Sequence, residues 1–353
     1  MTERIDVGVL GATGTVGRCL LERLDGHPWF RLAEVGASPA STGRRLSDAL
    51  GRTGEFTERK IAADILDLTL KAPDQEWRSP LIFSTLPARV ARPLEEALAA
   101  DGRLVVSNAS SHRMDPDVPL LIPELNPEHL ALLDGQRERW SGALVTNPNC
   151  SVVGLAIALA PLHRRFGLEM VCVTTLQAIS GAGRPGPAAA QMLDNVLPFI
   201  AGEEEKLAHE PQKILGDVVG GRVRPAGFPV SAHVHRVPVA HGHLLAVSVK
   251  LAGDASVEEV REALSEFRGA AMDERLPSAP ERPIVVVSGE ARPQPRLDRD
   301  RDAGMAVSVG RIRPCQVLDV KFSVLVHNLV RGAAGAALLN AELCHFCGTT
   351  RRA

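Results

Sequence analysis

The sequence predicts an α/β protein with two units: a doubly wound parallel sheet, and an α+β domain with a mixed or antiparallel sheet. Three observations predict this fold class. The chain opens with an apolar strand, a glycine-rich turn and a helix; the strand–helix pattern then repeats; and the pattern becomes strand-rich after Cys150. At 353 residues and 45% hydrophobic composition, the chain is long enough to form two cores.

Short apolar runs separated by helical segments indicate the parallel sheet. We expect strands at residues 5–10, 31–37, 80–85 and 102–108, and helices at 15–24 and 87–100. Pro87 suits the first turn of the second helix, where its missing N–H costs nothing. Since parallel strands need long crossover connections, helices of this length between the strands predict a parallel sheet.

The second unit begins with an amphipathic helix that runs to Phe166. We expect strands at residues 170–178, 236–239, 244–251, 284–287 and 317–326, and a helical tail from 328 to 347 that packs back on the first unit. The first unit is therefore placed at residues 1–146, completed by the tail in 328–353, and the second at 147–327. Residues 290–302, rich in Arg, Pro and Asp, predict a mobile insertion.

Composition restricts the partners. The 40 Lys and Arg against 42 Asp and Glu give a formal charge of -2, so we expect a small-molecule partner, no nucleic acid and no membrane. The longest apolar stretches are too short or too interrupted to span a bilayer, and the N-terminus lacks an export pattern, so we expect a cytoplasmic protein. Six scattered cysteines predict free thiols, and the Cys344-x-x-Cys347 pair is a weak signal of function.

A glycine-rich turn lies between the first strand and the first helix. The turn contains Gly11, Thr13, Gly14, Thr15, Val16 and Gly17. In this context missing side chains let backbone N–H groups and the helix N-terminus approach a pyrophosphate, which predicts a Rossmann-type dinucleotide site. The alternative is a purely structural tight turn.

The end of the second strand favours NADP over NAD. An NAD site carries an acidic residue there to bind the ribose hydroxyls, but residues 35–45 contain no carboxylate. Ser38, Ser41 and Arg44 instead suit a 2′-phosphate, because hydroxyls and a guanidinium pair well with a dianion. A solvated loop is the alternative interpretation.

Cys150 is the candidate nucleophile. Pro148 fixes the chain just before a helix that we expect to begin at Asn149 or Cys150, so the sulfur would lie at the positive end of the helix dipole and favour the thiolate. With a nicotinamide cofactor, such a thiol can interconvert an aldehyde and an acyl phosphate through a thioester. His243 is the candidate base, since imidazole titrates near neutral pH.

Several longer motifs now point to one family. The runs GATGTVG, SNASSHRMDPDVPLLIPELN, NPNCS, TTLQAISGAG, LDNVLPFIAGEEEKL, RVPVAHGH and HNLVRGAAGA extend nearly end to end. In these motifs the chain resembles the aspartate-semialdehyde dehydrogenases, specifically the branch found in archaea, fungi and some bacteria. The resemblance implies NADPH-dependent reductive dephosphorylation of L-4-aspartyl phosphate to L-aspartate 4-semialdehyde, in lysine, threonine and methionine biosynthesis. It also implies a homodimer or homotetramer.

The resemblance also implies residue roles. Cys150 would carry the acyl group, His243 would be the acid/base, and Gln177 would orient the substrate. Arg236 would bind the substrate carboxylate and Glu204 its ammonium group. The phosphate would meet Arg113, Asn149 and Lys206, and the cofactor would meet Ser84, Ser180, Gly183 and Asn328. His235, His241, Leu245 and Arg184 depart from the family pattern.

Three alternatives remain open on the sequence. A relative that acts on N-acetylglutamyl phosphate or malonyl-CoA would use the same thiol and cofactor, although an ammonium contact speaks against both. The two His-x-His pairs, His233 with His235 and His241 with His243, could bind zinc if strand alternation put them on one face. A non-catalytic NADP-binding regulator would keep the glycine turn without a reactive thiol.

Overall fold

The computed structural model of this protein describes residues 4–51, 61–183, 186, 189–270 and 276–351. Within them the chain forms two six-stranded sheets, a two-stranded ribbon and the helices that cover the sheets. The predicted α/β class is confirmed.

The first sheet is parallel throughout. Its strands are β1 (Ile5–Leu10), β2 (Phe30–Gly36), β3 (Leu70–Lys71), β4 (Leu81–Ser84), β5 (Leu104–Ser107) and β6 (Ala143–Thr146). The order is β3-β2-β1-β4-β5-β6, which is the doubly wound order in which the chain reverses direction beside β1. Ligands bind in such sheets where the first turn after β1 faces the turn after β4.

The helices include long and short segments. They are α1 (Thr15–Leu24), α2 (Leu46–Leu50), α3 (Ala63–Leu66), α4 (Ala88–Ala100), α5 (Leu133–Gln136), α6 (Cys150–Phe166), α7 (Ala189–Met192), α8 (Glu203–Ile214), α9 (Val257–Glu266), α10 (Pro295–Asp298) and α11 (Gly335–Phe346). Short 3₁₀ turns occur at Pro39–Ser41, Pro127–Leu132, Ile179–Ala182, Arg301–Gly304 and Thr349–Arg351. Among the described residues, no helix combines the length and the apolar composition needed to cross a bilayer.

The second sheet is mixed. Its strands are β7 (Leu168–Gln177), β10 (Val230–Arg236), β11 (His243–Leu251), β12 (Ile284–Val286), β13 (Val307–Pro314) and β14 (Val320–Val326), and β8 (Asp217–Val219) pairs with β9 (Arg222–Arg224) in a separate ribbon. The order is β10-β7-β11-β14-β13-β12, with parallel pairs at both edges and antiparallel pairs between. The prediction of a strand at 236–239 was wrong, because β10 ends at Arg236 and a turn follows.

Helix α6 forms the centre of the second core. Every residue from 151 to 162 is buried, so the helix is not amphipathic as predicted but apolar on all sides. It packs under the second sheet with α8 and α9. Its first residue is Cys150, and Asn149 caps it by accepting hydrogen bonds from Ser151 N–H at 2.9 Å and Val152 N–H at 3.4 Å.

The C-terminal segment returns to the first sheet. A π-helical turn at Val330–Ala334 leads into α11, whose apolar residues join the core around β1, β4 and β5. Helix α11 therefore packs on the first sheet. A π-turn widens the helix locally and often marks a functional site.

Residues 290–302 are not the mobile insertion that we expected. Helix α10 lies within them, and the buried Asp298 carboxylate accepts hydrogen bonds from Arg292, Arg301 and the Gln294 N–H. Burial opposes ionisation, but these donors hold the pKa of Asp298 at about 2. The segment packs on Gly242, beside His243.

Candidate active site

A cleft of about 1040 Å³ lies between the two sheets. One wall is the glycine turn with the segment after β4, and the other contains the start of α6, the turn after β7 and the π-turn. Cys150 lines the cleft where these elements meet. The doubly wound order therefore places the predicted nucleotide site and the predicted nucleophile in one cavity.

The sulfur of Cys150 lies 3.2 Å from Nε2 of His243. The backbone N–H of Ala178 donates to Nδ1 of the same ring at 3.0 Å. A neutral His243 therefore carries its proton on Nε2 and directs it at the sulfur. The two residues stand 93 positions apart in the chain, and the structure brings them together as the sequence predicted.

The expectation of an acidic thiol was wrong. The helix begins at Cys150 as predicted, but burial raises the pKa of the Cys150 thiol to about 12, and the charge of Glu203 acts in the same direction. Burial likewise lowers the pKa of His243 to about 3, with further lowering by Arg236 and His327. Both shifts favour the uncharged forms of the thiol and the imidazole.

Helix α8 places Glu203, rather than Glu204, against Asn149, which lines the cleft. The Glu203 carboxylate accepts hydrogen bonds from the side chains of Asn149 at 2.9 Å, Gln177 at 3.2 Å and Lys206 at 2.8 Å. Glu204 instead accepts from the backbone N–H of Val234 at 3.2 Å. Neighbouring helix positions point about 100° apart, so the ammonium role predicted for Glu204 moves to Glu203 as a proposal.

The other predicted substrate residues surround the same thiol. Arg113 and Asn149 line the cleft, and the charges of Arg113, Lys206 and Arg236 are close enough to lower the pKa of Cys150 in part. Arg236 is buried and donates to the Ala178 carbonyl at 2.8 Å. A buried carboxylate, two buried guanidiniums and a half-buried ammonium group thus lie near one sulfur, as recognition of a small charged molecule requires.

Most predicted cofactor residues line the cleft. They are Gly11, Thr13, Gly14, Thr15, Val16, Ser38, Ser180, Gly183 and Asn328. Gly11 has φ +80°, and a Cβ there would lie 2.6 Å from the Thr85 hydroxyl. A Cβ at Gly17 would lie 2.3 Å from the Gly11 carbonyl oxygen, so this glycine permits the close packing of turn and helix.

Four predicted cofactor residues lie outside the cavity wall that the described residues form. Gly17 is buried behind the turn, and Ser84 is fully buried at the end of β4. Ser41 and Arg44 come after Ser38 in the chain and lie beyond the cavity wall. The Arg44 guanidinium is exposed and donates to the Asp48 carbonyl at 2.8 Å. Ser38 is the member of the predicted 2′-phosphate set that lines the cavity.

Two family models match the chain. The semialdehyde dehydrogenase NAD binding domain matches residues 6–133, and the semialdehyde dehydrogenase dimerisation domain matches residues 159–331. A protein of Methanothermobacter thermautotrophicus named aspartate-semialdehyde dehydrogenase is 45% identical over 96% of this chain and 98% of its own length. This chain belongs to the aspartate-semialdehyde dehydrogenase family.

Two further comparisons extend the family assignment. The structure of Candida albicans aspartate semialdehyde dehydrogenase with NADP matches at a TM-score of 0.90, with 38% identity, over 98% of this chain and 100% of that one. A malonyl CoA reductase (NADP) of Metallosphaera sedula is 37% identical over 97% of both chains. The predicted family, fold and nicotinamide-binding unit are confirmed, and two activities occur among close relatives.

The positions that depart from the family pattern are spread over the fold. Leu245 is buried in the second core, and His235 lies on the outer face of the second sheet, opposite Leu176. His241 lies at the turn before β11, where its Nδ1 is 3.0 Å from the Ser180 hydroxyl. Arg184 lies outside the described residues.

The zinc alternative receives no support. His233 and His235 alternate on the outer face of β10, whereas His243 faces Cys150 inside the cleft. Over the part of the chain that the structure describes, no group of three or more His, Cys, Asp or Glu side chains is placed to hold a metal ion.

Gly332 is a position at the site that was not predicted from the sequence. A Cβ at position 332 would lie 2.7 Å from the Cβ of Cys150 and 2.9 Å from its Cα, so the π-turn presses its backbone against the nucleophile. The signal was available in the run Asn328-Leu329-Val330-Arg331-Gly332, since a glycine inside a helical pattern often permits close approach of two backbones.

Proposed function

We propose that the protein reduces L-4-aspartyl phosphate to L-aspartate 4-semialdehyde with NADPH, through a thioester on Cys150. The observation that carries this proposal is the Cys150 sulfur 3.2 Å from the His243 Nε2, in a cleft that continues to the glycine turn. The reaction serves the biosynthesis of lysine, threonine and methionine.

The cofactor wall supports NADP. Glu34, the acidic residue of β2, accepts hydrogen bonds from Lys71, the Ser79 hydroxyl and the N–H groups of Arg78 and Ser79, so it is not free to bind a ribose. Ser38 then offers a hydroxyl at the end of β2, and Gly11 leaves room for backbone N–H groups to approach a pyrophosphate. When bound, NADPH supplies the hydride.

The thiol and imidazole act in sequence. The sulfur of Cys150 forms a bond to the acyl carbon while the acyl–phosphate bond breaks, and the thiol proton leaves with the phosphate as hydrogen phosphate. The His243 Nε2–H donates to the negative charge that develops at the carbonyl oxygen. The Ala178 N–H on Nδ1 keeps the ring in this orientation.

Charged side chains recognise the ends of the substrate. We assign the substrate ammonium group to Glu203 and its carboxylate to Arg236, because both are buried beside the thiol. Burial opposes ionisation of Glu203, but Lys206 and the amides of Asn149 and Gln177 hold the pKa of this carboxyl below its usual value. An ionised Glu203 favours an amino-acid substrate over malonyl-CoA, which has no ammonium group to pair with it.

Phosphate binding is assigned to Arg113, Lys206 and Asn149, and contact with the nicotinamide amide to Asn328. The Asn328 side chain donates to the Ser180 hydroxyl at 2.9 Å and accepts from Gly242 N–H at 2.8 Å. These bonds fix the amide between the turn after β7 and the turn before β11. We also propose the unit boundaries given above, 1–146 with 328–353 and 147–327.

A homo-oligomer, dimer or tetramer, is proposed through the outer face of the second sheet. Its inner face packs on α6, α8 and α9, whereas rows of exposed or half-exposed side chains cross the outer face: His235, Leu176 and Leu244, then His233, Thr174 and Ala246. The family model of this unit is a dimerisation domain. Leu176→Glu should lower the oligomeric state in sedimentation, whereas Val317→Glu in an exposed loop should not.

A panel of substrates tests the assignment. In the oxidative direction, the purified protein should reduce NADP with L-aspartate 4-semialdehyde only when inorganic phosphate is present. N-acetylglutamate semialdehyde should give little turnover, and malonate semialdehyde with coenzyme A should give none. Turnover that requires coenzyme A and ignores phosphate would overturn the proposal in favour of an acyl-CoA reductase.

A further inference from the structure

Helix α8 carries two buried charges that the proposed mechanism does not use. Glu203, Lys206, Glu210 and Lys213 recur at spacings of three and four, which puts them on one face of the helix. Glu203 bonds to Asn149, which lines the cleft, and Lys206 bonds to Glu203. Glu210 and Lys213 lie further along the same face and are buried, with 2% and 5% exposure, where ionised side chains are rare unless they are paired.

The Glu210 carboxylate bridges two residues of the phosphate subsite. Its Oε1 accepts a hydrogen bond from Arg113 Nη1 at 2.9 Å, and its Oε2 accepts one from the backbone N–H of Asn149 at 2.7 Å. Asn149 is the N-cap of α6, directly before Cys150. A single carboxylate therefore sets the distance between the guanidinium and the start of the nucleophile helix.

Lys213 anchors the loop that carries Arg113. Its ammonium group donates to three backbone carbonyls of that loop, those of Arg113 at 2.6 Å, Asp115 at 2.7 Å and Val118 at 2.8 Å. An ammonium group has three donors, so all are used. Burial lowers the pKa of Lys213 to about 8, while Asp115, Asp117 and Glu210 oppose that change, so the group stays charged at neutral pH.

We propose that Glu210 and Lys213 are positioning residues that hold Arg113 and the Asn149 backbone at the spacing required for phosphate transfer at Cys150. The inference rests on the proposed function, in which phosphate is a substrate of the oxidative reaction. Glu210 does not line the cleft in the described structure, whereas Arg113 and Asn149 both do, so Glu210 acts through them. Without its carboxylate, two buried donors lose their acceptor.

The test compares Glu210→Gln with Glu205→Gln, an exposed position of the same helix. An amide offers one acceptor and adds donors that oppose Arg113 and the Asn149 N–H, so the KM for phosphate should rise about tenfold to a hundredfold. The KM for NADP should stay within about twofold of the wild type, because the cofactor wall does not touch Glu210. Glu205→Gln should match the wild type in both constants.

Separate outcomes identify separate failures. A Glu210→Gln protein with a wild-type KM for phosphate overturns the inference, as does a parallel rise in the KM for both phosphate and NADP, which indicates a general loss of structure. Wild-type turnover that is independent of phosphate overturns the proposed function and this inference with it.

Lys213→Arg provides the second variant if Glu210→Gln does not fold. The guanidinium keeps the charge but cannot place three donors on the three carbonyls, so the KM for phosphate should rise while the KM for NADP does not. An unchanged KM for phosphate in this variant contradicts the role of Lys213.

Discussion

The two walls of the cleft are built differently. The wall from the first sheet consists of backbone and small side chains, as at Gly11 and Gly14, whereas the wall from the second unit is backed by buried charged side chains such as Glu203 and Arg236. Ligand binding at the first wall depends on space that a single added Cβ would fill. Binding at the second wall depends on charged side chains that are fixed by ion pairs and hydrogen bonds to one another.

Substitutions in the two walls should therefore impair the protein in different ways. In the first wall, damage should come from added volume and should appear in cofactor binding. In the second wall, damage should come from removed charge or a removed hydrogen bond and should appear at the thiol or in substrate binding. Cys150 and Gly332 stand where the walls meet, so their substitution should affect the reaction itself.

Cys150→Ser should give the largest effect. A serine hydroxyl is a much poorer nucleophile at neutral pH and forms an ester in place of a thioester, so kcat should fall by about 10⁴-fold or more. The KM for NADP should change little because the cofactor wall is intact. Steady-state kinetics with the semialdehyde measures both, and unchanged turnover would refute the thioester route.

Gly332→Ala should rank second. The new methyl group would meet Cys150 at 2.7 Å, and either the π-turn or the nucleophile must move. A displacement of about 1 Å at a reacting atom costs about 100-fold in rate, so kcat should fall by that order. Gly227→Ala is the matched control, since a Cβ there meets nothing within 4 Å. Equal activity of the two variants would contradict the contact.

Glu203→Gln should give smaller effects: it should weaken binding of the semialdehyde but increase the reactivity of the Cys150 thiol. Loss of the charge that binds the ammonium group should raise the KM for the semialdehyde about tenfold. The same change should speed alkylation of Cys150, because burial and then the Glu203 charge raise the pKa of this thiol, and only the burial effect would remain.

The alkylation should also depend on pH in a particular way. With a thiol pKa of about 12 in the wild type, the rate should keep rising through the neutral range, since each pH unit yields more thiolate. Glu204→Gln is the control, because this carboxylate faces the Val234 backbone. A plateau near pH 7, or equal effects at 203 and 204, would count against the assignment.

The sequence was sufficient for four of the six strands of the first sheet, but not for β3 and β6. Helix α1 and strand β1 have the predicted bounds, and β2, β4 and β5 differ from the prediction by one or two residues at their ends. Their apolar runs are bounded by glycine and proline, so local signals agree with the fold. Cys150 and His243 could also be predicted, from a helix start and from the chemistry that a thiol needs.

Features that depend on packing could not be predicted. The pKa of Cys150 depends on its burial under the π-turn and on Glu203, which no local pattern reveals. The choice between Glu203 and Glu204 depends on how α8 is rotated about its axis. Glu210 and Lys213 acquire partners about 61 to 100 positions away, so their roles appear only after the chain folds.

The pairing of each cation in the phosphate subsite with a buried carboxylate affects which molecules the cleft retains. Arg113 is matched by Glu210 and Lys206 by Glu203, so this part of the subsite has no net charge. A simple dianion must therefore compete with the protein's own carboxylates, and we expect it to bind weakly and leave readily. A zwitterion can pair with both the cations and the carboxylates of the subsite, so it should bind more tightly than a polyanion. The pairing therefore favours inhibitors that bear an ammonium group beside a phosphonate.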